Sequence, residues 1–314
     1  MGIVTFGADG KPRHLSTSGR GHHPSLAPTP DAINLCIPCG IGDASWIWSK
    51  VKHLPAATGY PVVFSMPDAQ PQRGHQLFDY LPEATWAGYE TGWRNADVFK
   101  RTLPPTATYP DFTPGIWQAL EVNTWLEKGR SLADWLPDLP VDYHYPLYFP
   151  DDEKHEAAAL LAGLPRPIYA FYTSNRDKEN YPGWALWSVA DWTHVICALL
   201  AEGGSALFIG ADYDRDKTLA VEALVREAGV PTRKCLGKRL GTALAALSAC
   251  AGCVSYPSGI GILAGVLGVR TAMLLPDCKH HHQLNGFIDP IDRSFGLYEV
   301  FVNPPVEEVI EWFQ

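Results

Sequence analysis

A doubly wound α/β protein in two halves is what the sequence predicts, and three observations predict it. The 314 residues suffice for two domains at roughly 100 to 200 residues each. A content of 46% hydrophobic and 19% charged residues lets burial offset chain entropy, which excludes a disordered chain, a coiled coil or a fibre. Above all, short apolar runs closed by glycine or proline alternate with helix-length segments from Ile33 onward, the pattern of strand, helix, strand that builds a parallel sheet.

Each element follows from its local pattern. Ile33 to Pro38 is an apolar strand ending in Gly40-Ile-Gly-Asp43, after which Ala44 to His53 suits a helix. Tyr60 to Ser65 is a second strand, His75 to Leu81 a short helix and Ala84 to Thr91 a third strand. Prolines and aromatics weaken the pattern from Thr102 to Pro150, where Ile116 to Lys128 reads as a helix. Asp151 to Ala162 is a helix crossing between halves, and Gly163-Leu-Pro-Arg-Pro167 breaks the chain behind it. The alternation then becomes regular. Strands are expected at 168–173, 206–209, 252–256 and 271–275, and helices at 190–202, 212–228, 240–249, 260–267 and 306–313. The division is 1–155 and 156–314, with 1–30 as a mobile arm or loop because of its Gly, His, Ser and Pro content.

Charge narrows the partners. Net charge is −9 with no basic half, so no chain-wide positive field draws in phosphate backbones or anionic lipid. Contact with DNA would have to be local, and the one basic patch is the opening thirty residues, with Lys11, Arg13 and Arg20. The start of the chain has no apolar stretch of the secretory kind, so a cytoplasmic location is expected. The longest apolar stretch, 259–276, carries Arg270 and several glycines and suits a buried helix, turn and strand, so no membrane span is expected. Seven cysteines without such a leader default to reduced thiols. Two CxxC pairs, Cys36/Cys39 and Cys250/Cys253, lie at strand ends instead of opening a helix, so small buried strand residues are the better reading than redox or zinc chemistry.

Three turns stand out, because ligands of open α/β sheets bind beyond the carboxyl ends of strands. In the first, Gly40 and Gly42 let the backbone turn sharply and Asp43 sits at or beside a helix start, either as a plain capping carboxylate or as a general base. In the second, Ser258-Gly259-Ile260-Gly261 opens a helix whose unpaired N–H groups suit a diphosphate, or is simply a close-packed turn that needs small residues. The third, Thr173 to Pro182, carries Arg176 and Lys178, a solvated loop unless it meets a leaving phosphate.

These segments, together with Tyr181-Pro182, Asp191-Trp192 and the strand Val254-Ser-Tyr-Pro, resemble in order those of glycosyltransferase family 9, the ADP-heptose:lipopolysaccharide heptosyltransferases. The resemblance covers about residues 33–95 and 167–276. It implies a GT-B fold, two Rossmann-like domains facing a cleft, with an acceptor-side first half and a nucleotide-sugar-binding second half. It also implies inverting transfer to a saccharide hydroxyl without metal or cofactor. Asp43 falls on the family's catalytic aspartate, Lys178 on its phosphate-contacting lysine and Gly259 on the glycine of its donor loop. Arg176 is a second candidate for the phosphate. Where the family shows Asp-Thr-Gly-x-x-His, this chain has Pro257-Ser-Gly-Ile-Gly-Ile262, so the donor sugar stays open, and a modified base in DNA or mere nucleotide-sugar binding are the other readings.

Remaining polar clusters are weaker. Asp212-Tyr-Asp214-Arg-Asp216 contains two DxD patterns, but acids at a helix start offset its dipole, so no metal is assigned; Asp214, with Gly210 before it, is a candidate for the donor ribose. His280-His-His282 reads as a loop near the cleft. Trp46, Trp48, Trp93 and Trp184 could stack on sugars or bases, although most aromatics belong to a core.

Overall fold

The computed structural model describes residues 3–6, 12–15, 26–38, 40–67, 74–90, 112–119, 139–174, 187–275 and 298–314. Near the start, β1 (Ile3–Phe6) and β2 (Pro12–Leu15) pair antiparallel, with Ile3 opposite Leu15. Part of the segment expected as a mobile arm is therefore a two-stranded ladder.

The first sheet is parallel and four-stranded. It comprises β3 (Ile33–Cys36), β4 (Val62–Pro67), β5 (Thr85–Glu90) and β6 (Trp117–Ala119) in the order β5-β4-β3-β6. All four residues of β3 are buried, as a strand covered on both faces requires. Its one polar residue, Asn34, is satisfied: Nδ2 donates to the carbonyls of Thr29 and Ala32, and Oδ1 accepts from Thr29 N–H.

Strand β6 corrects the helix expected at 116–128, whose later residues lie outside the described residues. Gly115 turns the chain at φ +77 and donates to Ala32 O, Ile116 is exposed, and Trp117 to Ala119 pair with the open edge of β3. The Trp117 indole N–H reaches Leu26 O at 2.8 Å. An open strand edge outweighed a helical spacing of apolar residues.

The second sheet is also parallel. It has six strands, β7 (Ile168–Tyr172), β8 (Ser205–Gly210), β9 (Thr232–Leu236), β10 (Gly252–Ser255), β11 (Arg270–Leu275) and β12 (Glu299–Val302), in the order β12-β11-β10-β7-β8-β9. The two edge strands, β9 and β12, were not anticipated from the sequence. Half-exposed and charged residues such as Arg233, Lys234 and Glu299 hide the apolar run by which a central strand is recognised.

Helices connect the strands. In the first half lie α1 (Ile41–Val51), α2 (Leu54–Thr58) and a 3-10 helix at Gly74–Tyr80. The second half carries α3 (Asp151–Leu161), α4 (Val189–Leu199), α5 (Arg215–Glu227), α6 (Leu240–Leu247), α7 (Gly259–Val266) and α8 (Val306–Phe313). A capping box sets the start of α4: Ser188 Oγ accepts from Asp191 N–H while Asp191 Oδ2 accepts from Ser188 N–H. Asp191, part of the family-like segment, is thus a capping residue, and Trp192 beside it is fully buried.

Residues 139–150 form a strap along the first half. Asp142 N–H donates to Ser49 O, the buried Tyr145 hydroxyl lies 2.6 Å from Ser45 Oγ, and Lys52 Nζ pairs with Asp142 at 2.5 Å. The strap then runs into α3, which packs on α6 and β9.

The last helix, α8, stays with the second sheet. It packs on α4 through Val306, Val309 and Phe313, and Arg270 at the start of β11 holds its end by donating to Phe313 O and stacking 4.3 Å above the Trp312 ring. Gly252 makes room for this arrangement, because a Cβ there would lie 2.6 Å from Phe313 Cε1 and 2.8 Å from Tyr169 Cε1. Gly252→Val is expected to destabilise the protein by about 1–3 kcal/mol through overpacking. Urea unfolding checks this, with a lower midpoint at unchanged slope.

Candidate functional site

Strand β3 feeds α1 and strand β10 feeds α7, so each sheet directs one helix start away from its carboxyl edge. These two starts meet. A Cβ on Gly42 would lie 2.6 Å from Ile262 Cδ1 and 3.6 Å from Gly259 Cα, and one on Gly259 would lie 3.0 Å from Ile41 Cβ and 3.2 Å from Gly42 N. Backbone from one half therefore touches backbone from the other, which only residues without side chains allow.

Asp43 stands at this junction. It is the third residue of α1, within the first turn of the helix, and is partly buried. Its carboxylate folds back over Gly40, into the space a Cβ at that position would occupy. The reason for the two glycines is thus not the one expected. Gly40 has an ordinary extended conformation, φ −72 and ψ 141, and Gly42 is helical, so neither serves a sharp turn. Gly40 leaves a seat for the carboxylate and Gly42 lets the second half approach.

Burial pushes the Asp43 carboxyl up from 3.8 to about 6. The positive end of α1 acts in the opposite sense, and the outcome is a carboxyl that is mostly ionised at neutral pH yet still basic enough to take a proton.

The opposing turn is built by small residues. Ser258 caps α7, its Oγ accepting from Gly261 N–H at 3.1 Å and lying 3.1 Å from Ser255 Oγ. Gly261 is required by packing, since a Cβ would lie 2.7 Å from Met273 Cε and 2.8 Å from Ser255 Oγ. The N–H groups of Gly259 and Ile260 have no hydrogen-bond partner among the described residues and lie at the positive end of α7. Such a helix start is suited to an anion.

The structure brings together Gly40, Gly42 and Asp43 with Ser258, Gly259, Ile260 and Gly261. It does not bring Asp214 with them. Asp214 is 1% exposed, accepts from Ala211 N–H at 2.7 Å and from the Tyr172 hydroxyl at 3.3 Å, and caps the turn behind Gly210. The carboxylate expected to reach a ribose is thus turned inward, and that expectation is corrected. Asp212, the other half of the first DxD pattern, pairs with Arg215 at 2.9 Å.

Arg176, Lys178, Cys39, Trp93, Trp184 and the histidines 280–282 lie outside the described residues. Trp46 and Trp48 are core residues, 6% and 5% exposed. Cys36, Cys250 and Cys253 are buried free thiols, and burial pushes Cys250 up to about 12 and Cys253 higher still, which suits packing and not redox chemistry.

Sequence reasoning passed over Lys217. In the first turn of α5, its Nζ donates to Trp187 O at 2.9 Å and lies 3.4 Å from the hydroxyl of Tyr256, two residues before Ser258. Nothing in its local pattern separates it from a surface lysine, and only the fold places it behind the strand end that carries the turn.

No protein-family profile matches the chain, and no curated protein matches it in sequence. Solved structures do match it in fold. Escherichia coli ADP-heptose LPS heptosyltransferase II superposes with a TM-score of 0.60 at 18% identity, over 88% of this chain and 96% of that one. The fold is that of the heptosyltransferases. A glycosyl transferase family 9 protein of Veillonella parvula gives 0.58 at 15% identity, over 88% and 87%. E. coli heptosyltransferase WaaC, solved with ADP-2-deoxy-2-fluoro heptose, gives 0.53 at 12% identity, over 90% and 100%. The heptosyltransferase fold, GT-B in plan, accounts for two parallel sheets with their carboxyl edges facing each other, and it agrees with the fold expected from the sequence.

The raised Asp43 carboxyl also has a consequence for stability. A group that binds its proton more tightly when folded stabilises the protein fully below 3.8, and that contribution is lost as pH rises through about 6. Above this window the ionised carboxylate costs up to ~3 kcal/mol. Asp43→Asn is expected to melt higher than the wild type at pH 8, with the gain shrinking toward pH 4, as thermal denaturation across pH measures.

Proposed function

We propose that the chain is a glycosyltransferase that moves a sugar from a nucleoside-diphosphate donor to an acceptor hydroxyl. The observation that carries this reading is the placement of Asp43, a partly buried carboxylate of one half, against the open helix start at Gly259 of the other. The heptosyltransferase fold supports it, and so does the ADP-2-deoxy-2-fluoro heptose in the WaaC structure, in keeping with a nucleotide sugar as donor; a saccharide hydroxyl is the acceptor class we propose.

The mechanism we propose is a direct displacement. Asp43 takes the proton of the acceptor hydroxyl as that oxygen bonds to the anomeric carbon. The bond from that carbon to the diphosphate oxygen breaks on the opposite face, its electron pair leaving with the nucleoside diphosphate, and the configuration inverts. The N–H groups of Gly259 and Ile260 receive the growing phosphate charge with the positive end of α7 behind them. The sequence resemblance assigns Lys178 and Arg176 to the same phosphates. No metal is needed in this scheme; of the DxD carboxylates, Asp214 is held inside and Asp212 is paired with Arg215. A net charge of −9 favours a saccharide over duplex DNA as acceptor.

Asp43→Asn is expected to abolish sugar transfer while a nucleoside diphosphate still raises the melting temperature, because the donor turn belongs to the other half. Residual transfer near the wild-type rate overturns the role of Asp43. A wild-type protein that binds nucleotide sugars but turns none over is a binding module instead. With an active donor in hand, kcat/KM is expected to rise with pH through about 6 as Asp43 loses its proton. Lys178→Ala is expected to lower kcat by about 10²–10³ at unchanged melting temperature if the role implied by the resemblance holds, the usual cost of removing one charge-stabilising donor.

A further inference from the structure

We infer that Tyr80 is a positioning residue for this reaction: its hydroxyl pins the two halves in the register that sets Asp43 against the Ser258-Gly259 turn. The inference rests on the proposed function for its kinetic part and on geometry alone for its structural part. Asp43 and the turn belong to different sheets, so no local folding rule fixes the distance between them. Docking of the halves does.

This hydroxyl joins residues 26–150 to residues 151–314 by two side-chain hydrogen bonds. It accepts from Gly241 N–H at 2.8 Å and donates to Glu153 Oε2 at 3.0 Å. Three elements meet there: the 3-10 helix of the first half, which ends at Tyr80, the first turn of α3 and the start of α6. Gly241 is the second residue of α6, so its N–H is one that the helix leaves without a partner, and the phenol caps it from the opposite half.

The node is dry and tight. Tyr80 and Glu153 are each 5% exposed, and Arg239 Nη1 lies 3.3 Å from Glu153 Oε1. A Cβ on Gly241 would collide with Glu153 Oε2 and lie 2.5 Å from Tyr80 Cε1, so glycine is required for the three groups to converge. Burial pushes the phenol up to about 12, which keeps it neutral, donating and accepting together, across the working pH range. From the other side, Tyr148 N–H donates to Tyr80 O and the Phe149 ring packs 5.6 Å from the Tyr80 ring, so the chain enters α3 already fixed to this residue.

Removing the hydroxyl leaves the turn at Gly259 untouched but frees the docking that presents Asp43 to it. Displacing a reacting group by about 1 Å costs up to roughly 10²-fold in rate. The test uses the full chain as Tyr80→Phe, with ADP, UDP and GDP as binding probes. Three results are expected: affinity for the preferred nucleotide within about twofold of wild type, kcat lower by about tenfold or more at nearly unchanged donor KM, and a larger radius of gyration in small-angle scattering.

Glu153→Gln, which retains a carbonyl acceptor for the phenol, is expected to keep most of kcat. Should Tyr80→Phe fail to fold, Gly241→Ala disturbs the same node from the second half and is expected to give the same split. Unchanged kcat and radius of gyration overturn the inference, and so does a loss of nucleotide affinity in proportion to kcat. If the wild type transfers no sugar at all, the proposed function fails, while the scattering comparison still decides whether Tyr80 pins the halves.

Discussion

Two helix starts of like polarity facing each other across a backbone contact form the constraint on which the rest of the structure depends. Each presents unpaired N–H groups and about half a positive charge, so their approach at Gly42 and Gly259 is electrostatically unfavourable until something negative lies between or beside them. Asp43 supplies part of that charge from within the protein. The same geometry concentrates a positive field at the junction and keeps the carboxylate within it.

The surrounding architecture serves to hold this contact. On one side α1 is fixed along its length by the strap of residues 139–150, through Tyr145 at Ser45 and Asp142 at Ser49 and Lys52. On the other, Ser255, Ser258 and Gly261 let α7 start flush with the sheet. Neither half positions the site alone. The carboxylate and the amides reach each other only through the docking of halves, which explains why so much buried polar structure, at Tyr80, Glu153 and Gly241, lies at the boundary instead of in either core.

Much of this was legible in the sequence. Central strands such as β3, β10 and β11 are buried on both faces and announce themselves as apolar runs, and Asp43 and Gly259 follow strand ends where ligands bind. What was not legible depended on partners distant in the chain. Trp117 to Ala119 carry a helical spacing of apolar residues, yet the free edge of β3 makes them a strand. The edge strands β9 and β12 are half polar and have no apolar signature. Asp214 looked free because its neighbours at Ala211 and Tyr172 are invisible without the fold, and the glycines of the first turn were right in kind but wrong in reason. They provide space, not backbone freedom.

The attachment of α8 to α4 and β11 bears on how such a chain diversifies. This helix clings to its own half, through Phe313, Trp312 and Arg270. Recombination that replaced everything before the linker would leave the rear lobe's tail packing intact. A graft between distant relatives would then have only small surfaces to match, a glycine pair on one side and a phenol on the other.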